Sequence, residues 1–285
     1  MLRQKMQFLF GISALAVLLI AGFYTINGSV ASKLGFYIWK LVSSKAHGGK
    51  YVSVNGVRIY CETYGAGQPV LILHGGLGRI EDMQHQIRAL AGTRFVIAPD
   101  SRGHGRSTDT NEPLSYSLMA DDFVKLLDKL NISIVDVVGW SDGGIIGLDL
   151  AIRHPERVRR LVAIGSNYSV DGLINKPDAA AEPPRTGGFL QRDKINSAFY
   201  RKVVTMWQTQ PNFTLADLAK IKAPTLIMAG EFDIIKRSHT DQLAKAIRAS
   251  REEIIAGGAH FIVSDHDQAD IVNAHILRFL DEPCT

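Results

Sequence analysis

Two cysteines in 285 residues, Cys61 and Cys284, leave no material for a disulfide framework or a cysteine-based zinc site. They say little about redox compartment. A single bridge between them stays open, although Cys61 falls in a strand and reads as a small buried side chain. Charge of one sign is equally scarce. Lys and Arg outweigh Asp and Glu by +4, and taking away Arg3 and Lys5 reduces this to +2. That surplus is too small and too scattered for a nucleic-acid surface. Internal repeats and extended low-complexity tracts are missing. So is any metal cluster of His and carboxylates at ligand spacing. Gly75-Gly76-x-Gly78 lacks the spacing of a dinucleotide or phosphate loop. No metal and no cofactor is therefore implied. What is there is ordinary for a filled core, with 46% hydrophobic and 21% charged residues. The length suits one large domain or two small ones.

One long hydrophobic run stands out, from Phe8 to about Ile26, 19 positions after the basic residues Arg3 and Lys5. At ~1.5 Å per residue a helix of this length nearly matches the ~30 Å hydrocarbon core of a bilayer. Ser29-Val30-Ala31 offers the small residues that signal peptidase selects. The length of the run instead fits an uncleaved anchor. So do Phe36, Tyr37 and Trp39, interleaved with Lys33 and Lys40 as if resting at a membrane interface. Residues 1–31 are read as a signal peptide or N-terminal membrane anchor, 32–49 as a juxtamembrane linker and 50–285 as the folded domain. On either reading that domain lies outside the cytoplasm, membrane-anchored or secreted/periplasmic. An uncleaved segment makes the membrane a partner. No pattern fixes the oligomeric state.

The domain begins with a hairpin. Tyr51–Val54 and Val57–Thr63 flank Asn55-Gly56, the dipeptide that supplies two positive φ angles to a type I′ turn. Short apolar runs follow at Val70–Leu73, Phe95–Ala98, Val135–Val138, Leu161–Ile164, Thr225–Met228 and Glu253–Ile255. Runs of this kind belong to strands buried on both faces. Helical segments at Ser117–Leu130, Gly143–Arg153, Ser238–Arg248 and Ala269–Phe279 alternate with them. Repeated strand–helix units require parallel pairing with right-handed crossovers. The expectation is an α/β fold with a mostly parallel eight-stranded sheet and helices on both faces. About 168–215 breaks the rhythm and reads as a small cap insertion at the carboxyl end of a strand. Phe199, Val203, Val204, Met206 and Trp207 predict at least one packed helix late in it.

Gly139-Trp140-Ser141-Asp142-Gly143 sits between the strand Val135–Val138 and a helix. A sharp strand-to-helix turn strains the serine backbone, requires small neighbours and lifts the hydroxyl to a helix N-terminus. A serine needs a base, and the base a carboxylate to fix its tautomer. Asp233 and His260 both follow parallel strands at the carboxyl edge shared with Ser141, where open α/β sheets place their sites. The order Ser141, Asp233, His260 is the one such a sheet produces. His239, at a helix start, and His266, in a polar loop, are the rivals and read as solvated surface. An oxyanion needs backbone donors. The first expected is the Asp142 N–H, and the second Gly76 in His74-Gly75-Gly76-Leu77-Gly78, with Leu77 as the neighbouring alternative.

Five motifs in this order resemble the α/β-hydrolase fold family over about residues 50 to 282. They are His74–Gly78, Asp100-Ser101-Arg102-Gly103-His104-Gly105-Arg106-Ser107, Gly139–Gly144, Gly230-Glu231-Phe232-Asp233 and Gly258-Ala259-His260-Phe261. In that family Asp100–Ser107 is usually structural, so Arg102 and His104 are given no catalytic part. Gly-Trp-Ser-Asp-Gly-Gly is similar to the valacyclovir-hydrolase-like esterases. There the aspartate at the position of Asp142 recognises a substrate's α-amino group, and the resemblance implies the same role here beside a plain backbone one. Trp140, Leu77 and Trp207 are further candidate substrate contacts, although Met206 and Trp207 could equally form the cap's own core.

A serine nucleophile disfavours the dehalogenase and epoxide hydrolase chemistries of the same fold, which use a carboxylate. The expected activity is hydrolysis of a carboxylic ester or related small-molecule acyl substrate through an acyl-enzyme. Carbon–carbon bond hydrolysis, lactone or thioester cleavage and cofactor-free perhydrolysis can run on the same triad. A non-catalytic binding module would not require all these residues in register.

Overall fold

The computed structural model describes residues 28–175 and 196–283; at 28–31 and 266 only the backbone is described. The chain divides into two units, Met1–Ser43 with Pro183–Ile195, and Ser44–Glu182 with Asn196–Thr285. In the first, α1 (Gly28–Val42) is described. Phe36 and Trp39 stack along it at 5.7 Å, and Lys40 Nζ stands 4.9 Å from the Tyr37 ring centroid. No helix among the described residues is long and apolar enough to cross a membrane. The run Phe8–Ile26, expected as anchor or signal, lies outside the described residues, as does Cys284.

In the second unit eight strands form one sheet in the order β1-β2-β4-β3-β5-β6-β7-β8. These are β1 (Ala46–Val54), β2 (Val57–Tyr64), β3 (Gln68–Leu73), β4 (Arg94–Pro99), β5 (Val135–Trp140), β6 (Val158–Ile164), β7 (Thr225–Phe232) and β8 (Ser250–Ala259). The pairs β1/β2 and β2/β4 are antiparallel and the rest parallel. Asn55 at φ +42° and Gly56 at +78° close the first hairpin as its dipeptide predicts. The sheet starts at Ala46, inside the stretch read as a linker. Helix α1 occupies the rest of that stretch to Val42.

Both faces of the sheet are covered. Leu71, Leu73, Val137 and Leu161 share one core with Phe123 of α3 (Tyr116–Lys129) and Leu148 of α4 (Asp142–Arg153). Their sequence neighbours Val70, Ile72, Val138 and Val162 are as fully buried. Strand alternation turns these to the opposite face, where α2 (Gln84–Leu90) packs on α8 (His266–Asp281). A strand with no wet side has no reason to alternate polar and apolar residues, which explains the short apolar runs. The remaining helices are α5 (Ser197–Thr209), α6 (Leu215–Leu218) and α7 (Arg237–Ala246). Helix α5 lies in the insertion and buries Tyr200, Val203, Val204 and Met206. Its N-cap is Asn196, whose side chain accepts from Ala198 N–H at 2.8 Å.

Candidate active site

Ser141 occupies the turn between β5 and α4 at φ +53°, ψ −120°, a strained conformation for a residue with a Cβ. Its neighbours hold it there. The Ser141 N–H donates to Ile164 O at 2.7 Å, and Gly144 and Ile145 N–H donate to its carbonyl. A Cβ at Gly139 would stand 2.2 Å from Gly143 O, and one at Gly143 would stand 2.3 Å from Leu73 O. Only glycine fits either side of this turn.

The register of β7 with β8 delivers the other two side chains. Phe232 pairs with Ala259 across an irregularity after Gly230, so the next residues, Asp233 and His260, leave the sheet side by side. Gly257, at φ +67° with its N–H donating to Glu231 Oε2 at 2.8 Å, forms the kink. His260 Nδ1 meets Asp233 Oδ1 at 2.8 Å, and His260 Nε2 meets Ser141 Oγ at 3.0 Å. Asp233 also accepts from Ile235 N–H at 3.1 Å and Gly230 N–H at 3.3 Å. With a carboxylate accepting at Nδ1, the ring keeps its proton there and Nε2 offers a lone pair to the serine hydroxyl. Both Asp233 and His260 are buried.

Asp142 and Gly76 lie across from this pair. Asp142 Oδ1 accepts from Tyr116 Oη at 2.9 Å, and Trp207 Nε1 reaches Oδ1 at 3.0 Å and Oδ2 at 2.8 Å. Burial pushes the Asp142 carboxyl upward, while the Trp207 and Tyr116 hydrogen bonds pull it back. Burial beside this carboxylate drives the Tyr116 phenol well above its ordinary range. Among the described residues the Asp142, Gly76 and Leu77 N–H groups have no acceptor. The first belongs to the opening turn of α4, where such groups are left free.

These residues surround a cavity of about 350 Å³. Gly76, Trp140, Ser141, Asp142, Trp207 and His260 line it, together with Tyr116, Asn167, Leu173, Gln210, Ile235 and Phe261. Leu77 does not line it. Trp140 does so while its Nε1 donates to His260 O at 2.8 Å. Sequence reasoning missed Tyr116, Asn167, Gln210 and Ile235, which sit in no motif.

Two further expectations change. His239 is not solvated: it is 6% exposed, stacks on Tyr168 at 3.8 Å and accepts from the Tyr168 N–H at 3.1 Å. His266 opens α8 instead of lying in a loop. The Asp100–Ser107 stretch builds a buried frame, in which Asp100 accepts from Ile80 N–H at 2.8 Å and Arg106 Nε at 2.8 Å. Arg102 grips Asp122 with Nε and a terminal nitrogen, each at 2.8 Å. His74 accepts from Ser101 N–H at 2.9 Å, which fixes the loop carrying Gly76. Cys61 is free and buried, and burial pushes its thiol up to about 12. Among the described residues no group of three His, Cys, Asp or Glu side chains could hold a metal.

A serine on a strand-to-helix turn, facing a histidine and an aspartate from the last two strands of a mostly parallel eight-stranded sheet, defines a class. The chain belongs to the α/β-hydrolase fold family, whose sequence profile matches residues 68–203, and it is a hydrolase of that fold. It is 30% identical over 267 residues to RutD of Azorhizobium caulinodans, provisionally named a carbamate hydrolase, covering 83% of this chain and 98% of the relative. It is 31% identical over 251 residues to the serine hydrolase BPHL of Homo sapiens, covering 81% of this chain and 82% of BPHL. A bacterial membrane phospholipase A shares the fold at a TM-score of 0.74 and 17% identity, over 96% of this chain and 98% of that one.

Proposed function

We propose that the protein hydrolyses a carboxylic ester or related acyl compound through an acyl-enzyme on Ser141. The observation that carries this reading is the continuous relay from Asp233 Oδ1 to His260 at 2.8 Å and from His260 to Ser141 Oγ at 3.0 Å, opening on the cavity. Ser141 Oγ attacks the substrate carbonyl carbon as His260 Nε2 takes its proton. The carbonyl π electrons move to oxygen, and that oxyanion faces the free N–H groups of Asp142 and Gly76, with Leu77 beside them. Collapse of the intermediate breaks the bond to the leaving alcohol, which takes the proton from His260. Water then repeats the sequence: it gives its proton to His260, attacks the acyl carbon and releases the acid and Ser141. Asp233 stays ionised throughout and steadies the imidazolium.

The test is labelling of the full chain by a fluorophosphonate, together with hydrolysis of p-nitrophenyl esters. Both should occur in the parent chain and vanish in Ser141→Ala. A parent chain that neither labels nor turns over any ester defeats the reading. The apolar run Phe8–Ile26 supports a second part of the proposal, that this domain works outside the cytoplasm. Recovery of the full chain from the cytosolic fraction alone would refute that part.

A further inference from the structure

Besides His260, one carboxyl side chain is among the described lining residues, Asp142, and two neutral donors hold its carboxylate. Asp142 accepts from Tyr116 Oη at 2.9 Å on one oxygen, and Trp207 Nε1 lies within 3.0 Å of both. Both donors are neutral, and an indole N–H can only donate. The oxyanion loop closes a further approach. A Cβ added at Gly76 would stand 2.4 Å from Asp142 Oδ2 and 2.4 Å from Trp207 Cζ2, so this backbone lies directly against the capped carboxylate. The other described walls are Leu173, Ile234, Ile235 and Phe261, with neutral amides at Asn167, Asn175 and Gln210. No Lys or Arg is among the described lining residues.

We propose that Trp207 determines the specificity of this site. By capping the Asp142 carboxylate together with Tyr116, it selects esters of uncharged, largely apolar acyl groups against α-aminoacyl and carboxylate-bearing ones. The inference rests on Ser141 being the acylated nucleophile. An entering ammonium sheds water but must displace Trp207, Tyr116 or the Gly76 backbone to reach the carboxylate, so its desolvation is poorly compensated. A substrate carboxylate also sheds water and meets no Lys or Arg among the described lining residues. An apolar chain loses nothing and gains burial against the isoleucines and Phe261. This departs from the amine-binding role that the Gly-Trp-Ser-Asp-Gly-Gly resemblance implies for Asp142.

The experiment compares p-nitrophenyl butyrate, a p-nitrophenyl α-amino acid ester and p-nitrophenyl hemisuccinate. Each rate is taken relative to spontaneous hydrolysis of the same ester. Fluorophosphonate labelling counts the working sites of the full chain, of Trp207→Phe and of Tyr116→Phe. In the parent chain kcat/KM for butyrate should exceed that for either charged ester by about tenfold or more. Trp207→Phe frees one side of the carboxylate, and the aminoacyl-to-butyrate ratio should rise by about tenfold. Hemisuccinate should stay disfavoured. Tyr116→Phe should move the ratio the same way by less, and it supplies the answer if Trp207→Phe does not label. A parent chain that prefers the aminoacyl ester or hemisuccinate overturns the proposal, as does a ratio unchanged in the labelled variants. Failure of the parent to label or to cleave any ester would instead bring down the Ser141 reading first.

Discussion

Strand β5 has a buried aspartate at each of its ends, and the two are held in opposite ways. Asp136, at the amino end, is fully buried between arginines, with Arg159 Nε at 2.8 Å and Arg94 at 3.4 Å. Asp142, two residues past the carboxyl end, is held by a phenol and an indole. Burial pushes both carboxyls upward. At Asp136 arginine hydrogen bonds and charges oppose the push, and at Asp142 the Trp207 and Tyr116 hydrogen bonds do so first, with His74 and His260 adding to them. The amino end is therefore neutralised and tied to the chain's last helix, since Arg94 also pairs with Asp281. At the carboxyl end two neutral donors hold Asp142, beside the paired side chains of Ser141 and His260. One end of the strand is built for stability and the other keeps its electrostatics available for a reaction.

That contrast breaks most visibly at the carboxyl end. Ser141→Ala should lower kcat by about 10⁴-fold or more while Tm hardly moves, because the hydroxyl serves the reaction and not the fold. Asp136→Ala should do the reverse. Removing the carboxylate takes one of its two partners from buried Arg94 and a counter-charge from half-buried Arg159, and stability should fall by about 3 kcal/mol in urea titration. Turnover per fluorophosphonate-labelled site should be unchanged. Loss of turnover without loss of stability in Asp136→Ala would erase the distinction between the two ends.

Acid should also find the carboxyl edge first. Burial, aided by Lys236, pulls the His239 imidazole down to about 4, and burial beside His74 pulls His104 down to about 3. Both rings fold neutral, whereas an unfolded chain protonates them near about 6.5. The unfolded state therefore binds more protons in this window. Stability is fully present above about pH 6.5 and is lost as pH falls toward 4. Protonation of His239 at Nε2 also cancels the bond it accepts from Tyr168 N–H, next to the cavity residue Asn167. His239→Gln should make the urea midpoint less dependent on pH between about 6.5 and 4. Parallel curves for variant and parent would place the acid sensitivity elsewhere.

The same edge shows what a sequence displays and what it hides. Ser141, Asp233 and His260 were legible because a strained turn leaves glycines at fixed offsets and because each residue follows an apolar strand. The full extent of β7 and β8 was not, since Glu231 and Gly257-Gly258 interrupt the apolar pattern where the strands kink. Helix α2 went unread because buried glutamines break its periodicity, Gln86 donating to Val263 O at 3.1 Å. His239 stands in the polar string Arg237-Ser238-His239-Thr240, which looks solvated until Tyr168, 71 positions away, stacks on it. Tyr116 is silent for the same reason. Its role exists only through Asp142, and a contact between distant positions leaves no local pattern.

Trp140, the last residue of β5, offers the finest division between holding and reacting. Its Nε1 donates to His260 O at 2.8 Å, and its ring centroid lies 5.5 Å from the imidazole and 5.4 Å from Phe261. Trp140→Phe keeps an aromatic ring against both neighbours and removes the one donor that pins the His260 backbone. A buried carbonyl losing its partner costs about 1–3 kcal/mol, part of which relaxes by a shift of the loop that carries the base. The imidazole then meets Ser141 Oγ in poorer alignment, and kcat should fall by about tenfold with KM little changed. If Trp140→Phe instead raised KM and spared kcat, the indole would be a wall of the acyl cavity and not a support of the base. The positioning at the carboxyl end of β5 would then rest on Asp233 alone.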